Sequence, residues 1–270
     1  MPEGYQQQLK KALLRVCERR TGIKPDEVTG SSHADMNHPI GQHMRFITFE
    51  DEAFEPILSN PALLGFVNYV LGRNAILSLH DGFIKGPGNN ATALHGDNGA
   101  KHELHYPDFG DGLTMNLILS DYDEENGGLG FVPGSHLFKR EPLAGEVQSL
   151  QEGRQTVPVV AKAGSLIVWG SNTWHVAYPR KSPGLRLTLL MFWVGGKLQT
   201  QSDFRRAATQ EYPEALARNP PSFAKVMDCF GTFPFREEDF DFKKIVQGAK
   251  PYELEETLPM WRDFFGFERV

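Results

Sequence analysis

The fold is decided by residues 156–194, TVPVVAKAGSLIVWGSNTWHVAYPRKSPGLRLTLLMFWV. Four runs in it, 156–161, 165–169, 174–178 and 185–194, are rich in β-branched, aromatic and aliphatic side chains. Such residues fit a pleated, half-buried surface. Ala163-Gly164, Gly170-Ser171-Asn172 and Lys181-Ser182-Pro183-Gly184 separate the runs with turn-forming residues. Short strands punctuated in this way argue for an antiparallel sandwich or barrel rather than a helical bundle.

Working outward, residues 76–85 and 113–120 read as further strands, and Gly130-Phe131-Val132 as a short one ending at Pro133-Gly134. Residues 86–90 form a turn, and 121–126 an acidic loop. Residues 5–20 carry good helix formers, with Leu9, Leu13, Val16 and Cys17 at helical spacing. Residues 51–72 read as helical with a break at Asn60-Pro61, residues 21–45 as loop, and the chain beyond 210 as helical or irregular. No repeat or linker-like shift in composition divides the sequence. The expectation is a single domain over residues 1–270, mainly β with flanking helices: a core at about 75–195 and helical additions at both ends.

Composition narrows the function. The 270 residues carry 28 Lys and Arg against 34 Asp and Glu, a formal charge of −6, which argues against binding to nucleic acid. No apolar run approaches the ~18 residues of a membrane span. The first residues lack a basic-then-apolar leader, so a cytoplasmic location is expected. The two cysteines, Cys17 and Cys229, read as reduced thiols.

The chemistry is carried by dispersed residues. In Leu94-His95-Gly96-Asp97-Asn98, His95 and Asp97 lie two apart and so share a side of an extended segment. His175 follows Asp97 by 78 positions, within reach across a barrel. Two imidazoles and a carboxylate on one face of a metal leave open coordination positions and suit non-haem Fe(II). Arg186 stands in the otherwise apolar run 185–193, with Thr188 on its face. A buried guanidinium needs an anion, and a carboxylate matches its fork. That anion is either an internal Asp or Glu or a dicarboxylate cosubstrate. The glycines of Asn126-Gly127-Gly128 and of Pro133-Gly134-Ser135-His136 read as turn residues, and His136 as structural.

Taken together, these blocks resemble the phytanoyl-CoA dioxygenase family of Fe(II)/2-oxoglutarate-dependent oxygenases. The resemblance runs from about His43 to about Val194. It rests on Leu94-His95-Gly96-Asp97-Asn98, the loop from Asp121 to Gly128, Val132-Pro133-Gly134-Ser135-His136, Ala163-Gly164-Ser165, His175 and Arg186. It implies a double-stranded β-helix, the cupin-like jelly roll. It implies Fe(II) on His95, Asp97 and His175, and 2-oxoglutarate bound by Arg186, with Thr188 and Asn116 as further contacts. O2 would be the second cosubstrate, and succinate and CO2 would leave. Asp97 keeps a carboxylate on the metal, which favours hydroxylation over halogenation.

The expected substrate is a small polar metabolite or natural-product intermediate. Candidate pocket residues are Phe83, Lys85, His102, His105, Tyr106, Trp174 and Trp193, of which Lys85 and the two histidines suit an acidic group. A long acyl-CoA would need a basic track, for which Lys10, Lys11, Arg15, Arg19 and Arg20 are the available residues. Residues 239–267, rich in Phe, read as a lid, a homodimer contact or packing on the outer sheet. Two other readings stay open: a non-oxidative metal-dependent cupin-like enzyme, and a catalytically silent jelly-roll binding module.

Overall fold

The computed structural model describes residues 4–33, 43–88, 91–97, 111–148 and 156–229. Along the chain lie α1 (Tyr5–Thr21), β1 (His43–Met44), α2 (Glu55–Leu58), α3 (Pro61–Leu71), β2 (Ile76–Lys85), β3 (Gly112–Ile118) and β4 (Leu129–Phe131). They are followed by α4 (Ala144–Gln148), β5 (Val157–Pro158), β6 (Leu166–Gly170), β7 (His175–Ala177) and β8 (Arg186–Val194). The helices α5 (Phe204–Arg206), α6 (Pro213–Arg218) and α7 (Pro221–Val226) come last. A π turn, Ala207–Glu211, joins α5 to α6.

The strands form two antiparallel sheets, β1-β2-β8-β3-β6 and β5-β4-β7, the jelly-roll arrangement expected. The apolar run β8 lies at the centre of the larger sheet, between β2 and β3. Its period of two assigns a role to each face. Leu187, Leu189, Met191 and Trp193 join Leu113, Met115 and Leu117 in the main core, together with Leu9, Leu13, Val16 and Cys17 of α1 and Leu63 and Val67 of α3. Each such side chain stabilises the fold by about 1.5–3 kcal/mol on burial. On the opposite face Arg186, Thr188 and Leu190 are paired in register with Lys85, Phe83 and Asp81 of β2.

A register shift between Leu77 and Leu79 breaks the alternation in β2. Leu77 pairs with Trp193 and belongs to the main core, whereas Leu79 pairs with Phe192. The extra residue, Ser78, therefore brings Leu79, Asp81, Phe83 and Lys85 onto one face. Its hydroxyl accepts the Gln201 N–H at 2.9 Å and its carbonyl the Ser202 N–H at 3.1 Å, which pins the chain after β8 to the bulge.

The helical segments follow local chemistry. Asn60 caps α3, accepting from the N–H groups of Ala62 and Leu63, with Pro61 in the first turn. Gly22 ends α1 at a φ of 72°. Glu55 is buried and accepts from Arg218 and Asn219, tying α2 to the C-terminal end of α6. The basic residues of α1 are largely committed to ion pairs: Lys10 to Glu27, Arg15 to Asp51, and Arg19 and Arg20 to Glu50. Both cysteines are free thiols.

Some boundaries differ from expectation. His43–Met44 forms an edge strand where a loop was read, because it pairs with Gly82 and Phe83 far along the chain. The strand at 156–161 shrinks to Val157–Pro158. Residues 239–267 lie outside the described residues. Among the described residues no helix is long and apolar enough to cross a membrane.

Candidate active site

His95 enters from an extended segment that bridges to His175 of β7, with reciprocal backbone hydrogen bonds of 3.2 and 2.9 Å. That bridge sets the two imidazoles side by side, ring centroids 4.3 Å apart. Asp97 follows two residues after His95. Its Oδ1 lies 3.7 Å from Nε2 of each histidine, and the ligand atoms of the three residues all fall within 4.8 Å of one another.

The remaining polar atoms of the triad are already bonded. His95 Nδ1 donates to the Ala93 carbonyl at 2.7 Å and His175 Nδ1 to the Thr173 carbonyl at 3.1 Å, in the tautomer that leaves both Nε2 lone pairs free. Asp97 Oδ2 accepts from Thr114 Oγ1 at 2.7 Å and from Trp169 Nε1 at 2.9 Å, which leaves Oδ1. Such outer contacts orient metal ligands and fix their tautomers. Burial pushes the pKa of His175 down and the neighbouring His95 adds to this, against the opposing pull of Asp97. A neutral imidazole is the metal-binding form. The donor set can therefore hold a divalent metal ion.

The triad opens on a cavity of about 390 Å³, lined from both sheets. Two basic side chains lie side by side in its wall. Lys85 and Arg186 are cross-strand partners and are 1% and 2% exposed. Arg186 Nη1 donates to the Gly127 carbonyl at 2.8 Å, and its guanidinium carbon lies 5.3 Å from the centroid of the Tyr122 ring. Gly127 has a φ of 75° and packs its Cα against the Arg180 backbone, so only glycine fits there. Lys85 Nζ, Arg186 Nε and Asn116 Oδ1 are buried without a hydrogen-bond partner among the described residues. Nor does any described carboxylate pair with either cation, which removes the internal ion pair as the account of Arg186. Burial and the adjacent Arg186 hold the Lys85 pKa well below the usual lysine value. Buried polar groups are rarely left unpaired, and two neighbouring cations still less so. This part of the cavity is built to receive an anion.

The cavity brings together His95, Asp97, His175, Arg186, Asn116, Phe83 and Lys85 of the expected site residues. It does not include Thr188, whose hydroxyl is taken by the Tyr122 hydroxyl. Two pocket candidates are corrected. Trp174 is fully buried with Leu94, Val132 and Val176 and donates Nε1 to the Arg140 carbonyl, because its neighbour His175 takes the cavity-facing side. Trp193 alternates onto the helix-facing side of β8 and packs in the main core. His102, His105 and Tyr106 lie outside the described residues. Sequence reading missed His43, Arg45, Leu79, Asp81, Thr92, Leu129, Trp169, Ala177, Leu190 and Gln201 as lining residues, and Thr114 as a partner of Asp97. Only the alternation of β2 and β8 could have signalled Asp81 and Leu190.

Comparison with known proteins places this geometry in context. An uncharacterized protein of Mycobacterium tuberculosis is 29% identical over 175 residues, 61% of this chain and 59% of that protein. Dioxygenase cdmA of Talaromyces verruculosus is 23% identical over 173 residues, 63% of this chain and 55% of that protein. The chain thus spans less than two thirds of the length of either curated relative. The crystal structure of HygX from Streptomyces hygroscopicus, with nickel and 2-oxoglutarate bound, superposes with a TM-score of 0.57 at 17% identity, over 72% of this chain and 79% of that one, and so shares the fold. The model of the family described as phytanoyl-CoA dioxygenase (PhyH) matches residues 4–188, a span that contains the His-Asp-His cluster, Lys85 and Arg186. The chain belongs to the phytanoyl-CoA dioxygenase family.

Proposed function

We propose that the chain is a non-haem Fe(II)- and 2-oxoglutarate-dependent oxygenase acting on a small molecule. The observation that carries this reading is one cavity joining a His-Asp-His ligand set to a pair of buried basic side chains with no carboxylate partner among the described residues. His95, His175 and Asp97 would hold the iron through Nε2, Nε2 and Oδ1. Arg186 and Lys85 would receive the distal carboxylate of 2-oxoglutarate, with Asn116 beside the cosubstrate. When bound, iron and 2-oxoglutarate supply the oxidising chemistry: one oxygen atom of O2 goes to substrate and the other to succinate, with release of CO2.

The protein's part is positional. The carbonyls of Ala93 and Thr173 fix the tautomers of the two histidines. Thr114 and Trp169 hold the carboxylate of Asp97 so that one oxygen faces its histidine partners. Phe83, Leu129, Leu190 and Trp169 give the cavity apolar wall surface beside the metal ligands. Because position 97 is a carboxylate, hydroxylation is the reaction favoured over halogenation. A non-oxidative cupin-like enzyme would give Arg186 no cosubstrate to bind, and a silent binding module would leave the triad without a role.

The test is release of CO2 from 2-oxoglutarate labelled at its C1 carboxylate. The reading expects labelled CO2 and equimolar succinate, dependent on both Fe(II) and O2 and abolished in Asp97→Ala. Turnover that survives Asp97→Ala, or its absence from the iron-loaded wild type, would contradict it.

A further inference from the structure

Charge along the cavity wall is not balanced by the iron and 2-oxoglutarate alone. Its lining includes three basic side chains, Lys85, Arg186 and Arg45, and two acidic ones, Asp81 and Asp97. The oxygenase reading uses Lys85 and Arg186 for the cosubstrate and Asp97 for the metal. Asp81 is already committed: Oδ2 accepts from His43 Nε2 at 2.9 Å and Oδ1 from the Phe46 N–H at 2.9 Å, in a residue 1% exposed. Arg45 is left. It lines the cavity from the exposed side, and its guanidinium has no partner among the described residues. The contrast with its neighbours is sharp, since Arg15, Arg19 and Arg20 each hold a carboxylate.

The strand edge that carries Arg45 is held in place. Two residues earlier, His43 stacks on Phe83 with centroids 4.3 Å apart and planes 16° apart, and is tethered to Asp81. The bulge at Ser78 holds the backbone of Gln201, the other exposed polar residue lining this cavity after His43 and Arg45. Leu79, Leu190 and Phe83 supply apolar surface in the same cavity. The cavity is small by the standard of ligand sites, which run from about 300 to 1,000 Å³.

We propose that the substrate is a small carboxylic acid whose carboxylate is bound at the cavity mouth by Arg45, with Gln201 beside it as a hydrogen-bonding group. This rests on the oxygenase reading, which assigns Lys85 and Arg186 to the cosubstrate. A guanidinium takes a carboxylate through two parallel hydrogen bonds, and so selects it over the neutral amide of the same shape. With Asp81 committed and Asp97 assigned to the metal, no acidic group among the described lining residues is left to attract an amine.

The experiment uses the full chain loaded with Zn(II) and 2-oxoglutarate, and ligand-observed NMR. The probes are N-acetyl and N-benzoyl amino acids, their carboxamides, and the matched mono-N-acyl diamines in which an aminomethyl group replaces the carboxylate. The expected result is that acids bind at least tenfold more tightly than their amides. The preference should be lost in Arg45→Ala, kept in Arg45→Lys and turned toward the amines in Arg45→Glu. Calorimetry on the same samples should give an unchanged Kd for 2-oxoglutarate in all three variants. Amides binding as tightly as acids, an acid preference that survives Arg45→Ala, or no binding by any acid would overturn the proposal. Failure of the wild type to bind 2-oxoglutarate would instead defeat the oxygenase reading, so the two failures are distinguishable.

Discussion

Replacing Lys85 by methionine should push the stability of the ligand-free protein and its affinity for 2-oxoglutarate in opposite directions. Lys85 is 1% exposed, lies beside Arg186 and has no hydrogen-bond partner for Nζ among the described residues. Without an anion it is a buried amine that lacks a hydrogen-bond partner and whose protonation the neighbouring Arg186 opposes. Exchanging buried ionic groups for apolar ones of similar volume is often worth about 1–4 kcal/mol of stability. In a chain of this size each kcal/mol moves Tm by about 2–4 °C. Lys85→Met should therefore melt several degrees above wild type in the absence of 2-oxoglutarate. It should also lose a charge-assisted hydrogen bond to the cosubstrate, worth about 1.5–3 kcal/mol, or roughly 10- to 150-fold in Kd. The pH dependence carries a further sign. The Lys85 pKa is depressed in the folded protein, so between that value and the ordinary 10.5 the unfolded chain binds more protons than the folded one. The stability of ligand-free wild type should rise with pH across that interval, and Lys85→Met should flatten the slope. Binding of 2-oxoglutarate should draw a proton onto Lys85, measurable by calorimetry in buffers of different ionisation enthalpy and absent in the variant. Scanning calorimetry and titration calorimetry on the two proteins suffice. A variant less stable than wild type that binds 2-oxoglutarate equally well would refute the reasoning.

Three further outcomes follow from single contacts. Trp169→Phe removes the Nε1 donor to Asp97 Oδ2 while keeping an aromatic ring, and should weaken metal binding by about 10- to 100-fold, read by competition with a chromophoric chelator. Gly127→Ala places a Cβ 2.9 Å from the Arg180 backbone at a φ of 75°, on the residue whose carbonyl holds Arg186. It should destabilise the fold by at least about 1 kcal/mol and raise the Kd for 2-oxoglutarate as well. Glu55→Ala strips Arg218 and Asn219 of a shared buried acceptor and should cost about 1–3 kcal/mol, with no change in 2-oxoglutarate binding. Denaturant titration and calorimetry separate the two effects in each case.

What the sequence could reveal depended on whether the signal was local. The strand at Arg186–Val194 is legible because an apolar run persists over nine residues, interrupted only by Arg186 and Thr188. Gly22 and Asn60-Pro61 mark helix ends through backbone chemistry that needs no tertiary context. His95, Asp97 and His175 could be singled out by residue type and order. Their convergence depends on the bridge between His95 and His175, which spans 80 positions and leaves no local trace. The edge strand His43–Met44 exists only because β2 is there to pair with it. The bulge at Ser78 inverts the faces of β2, so counting from Ile76 by twos places Lys85 on the wrong side. Trp174 and Trp193 looked like pocket residues by proximity to His175 and Arg186. Residues an odd number apart along an extended segment point to opposite faces, so Trp174, next to His175, and Trp193, seven after Arg186, are both buried away from the cavity. Thr114 and Trp169 reach Asp97 from neighbouring strands of the larger sheet, a relation that only the pairing of β3 with β6 reveals.

The central claim, an iron centre that takes 2-oxoglutarate through this triad and these cations, is tested most directly by anaerobic visible spectroscopy. Metal-free protein is given Fe(II) and titrated with 2-oxoglutarate. The account expects a weak charge-transfer band that saturates at one equivalent per chain, is lost in His175→Ala, and requires far more 2-oxoglutarate in Arg186→Ala. No band, together with no heat of 2-oxoglutarate binding, would contradict it.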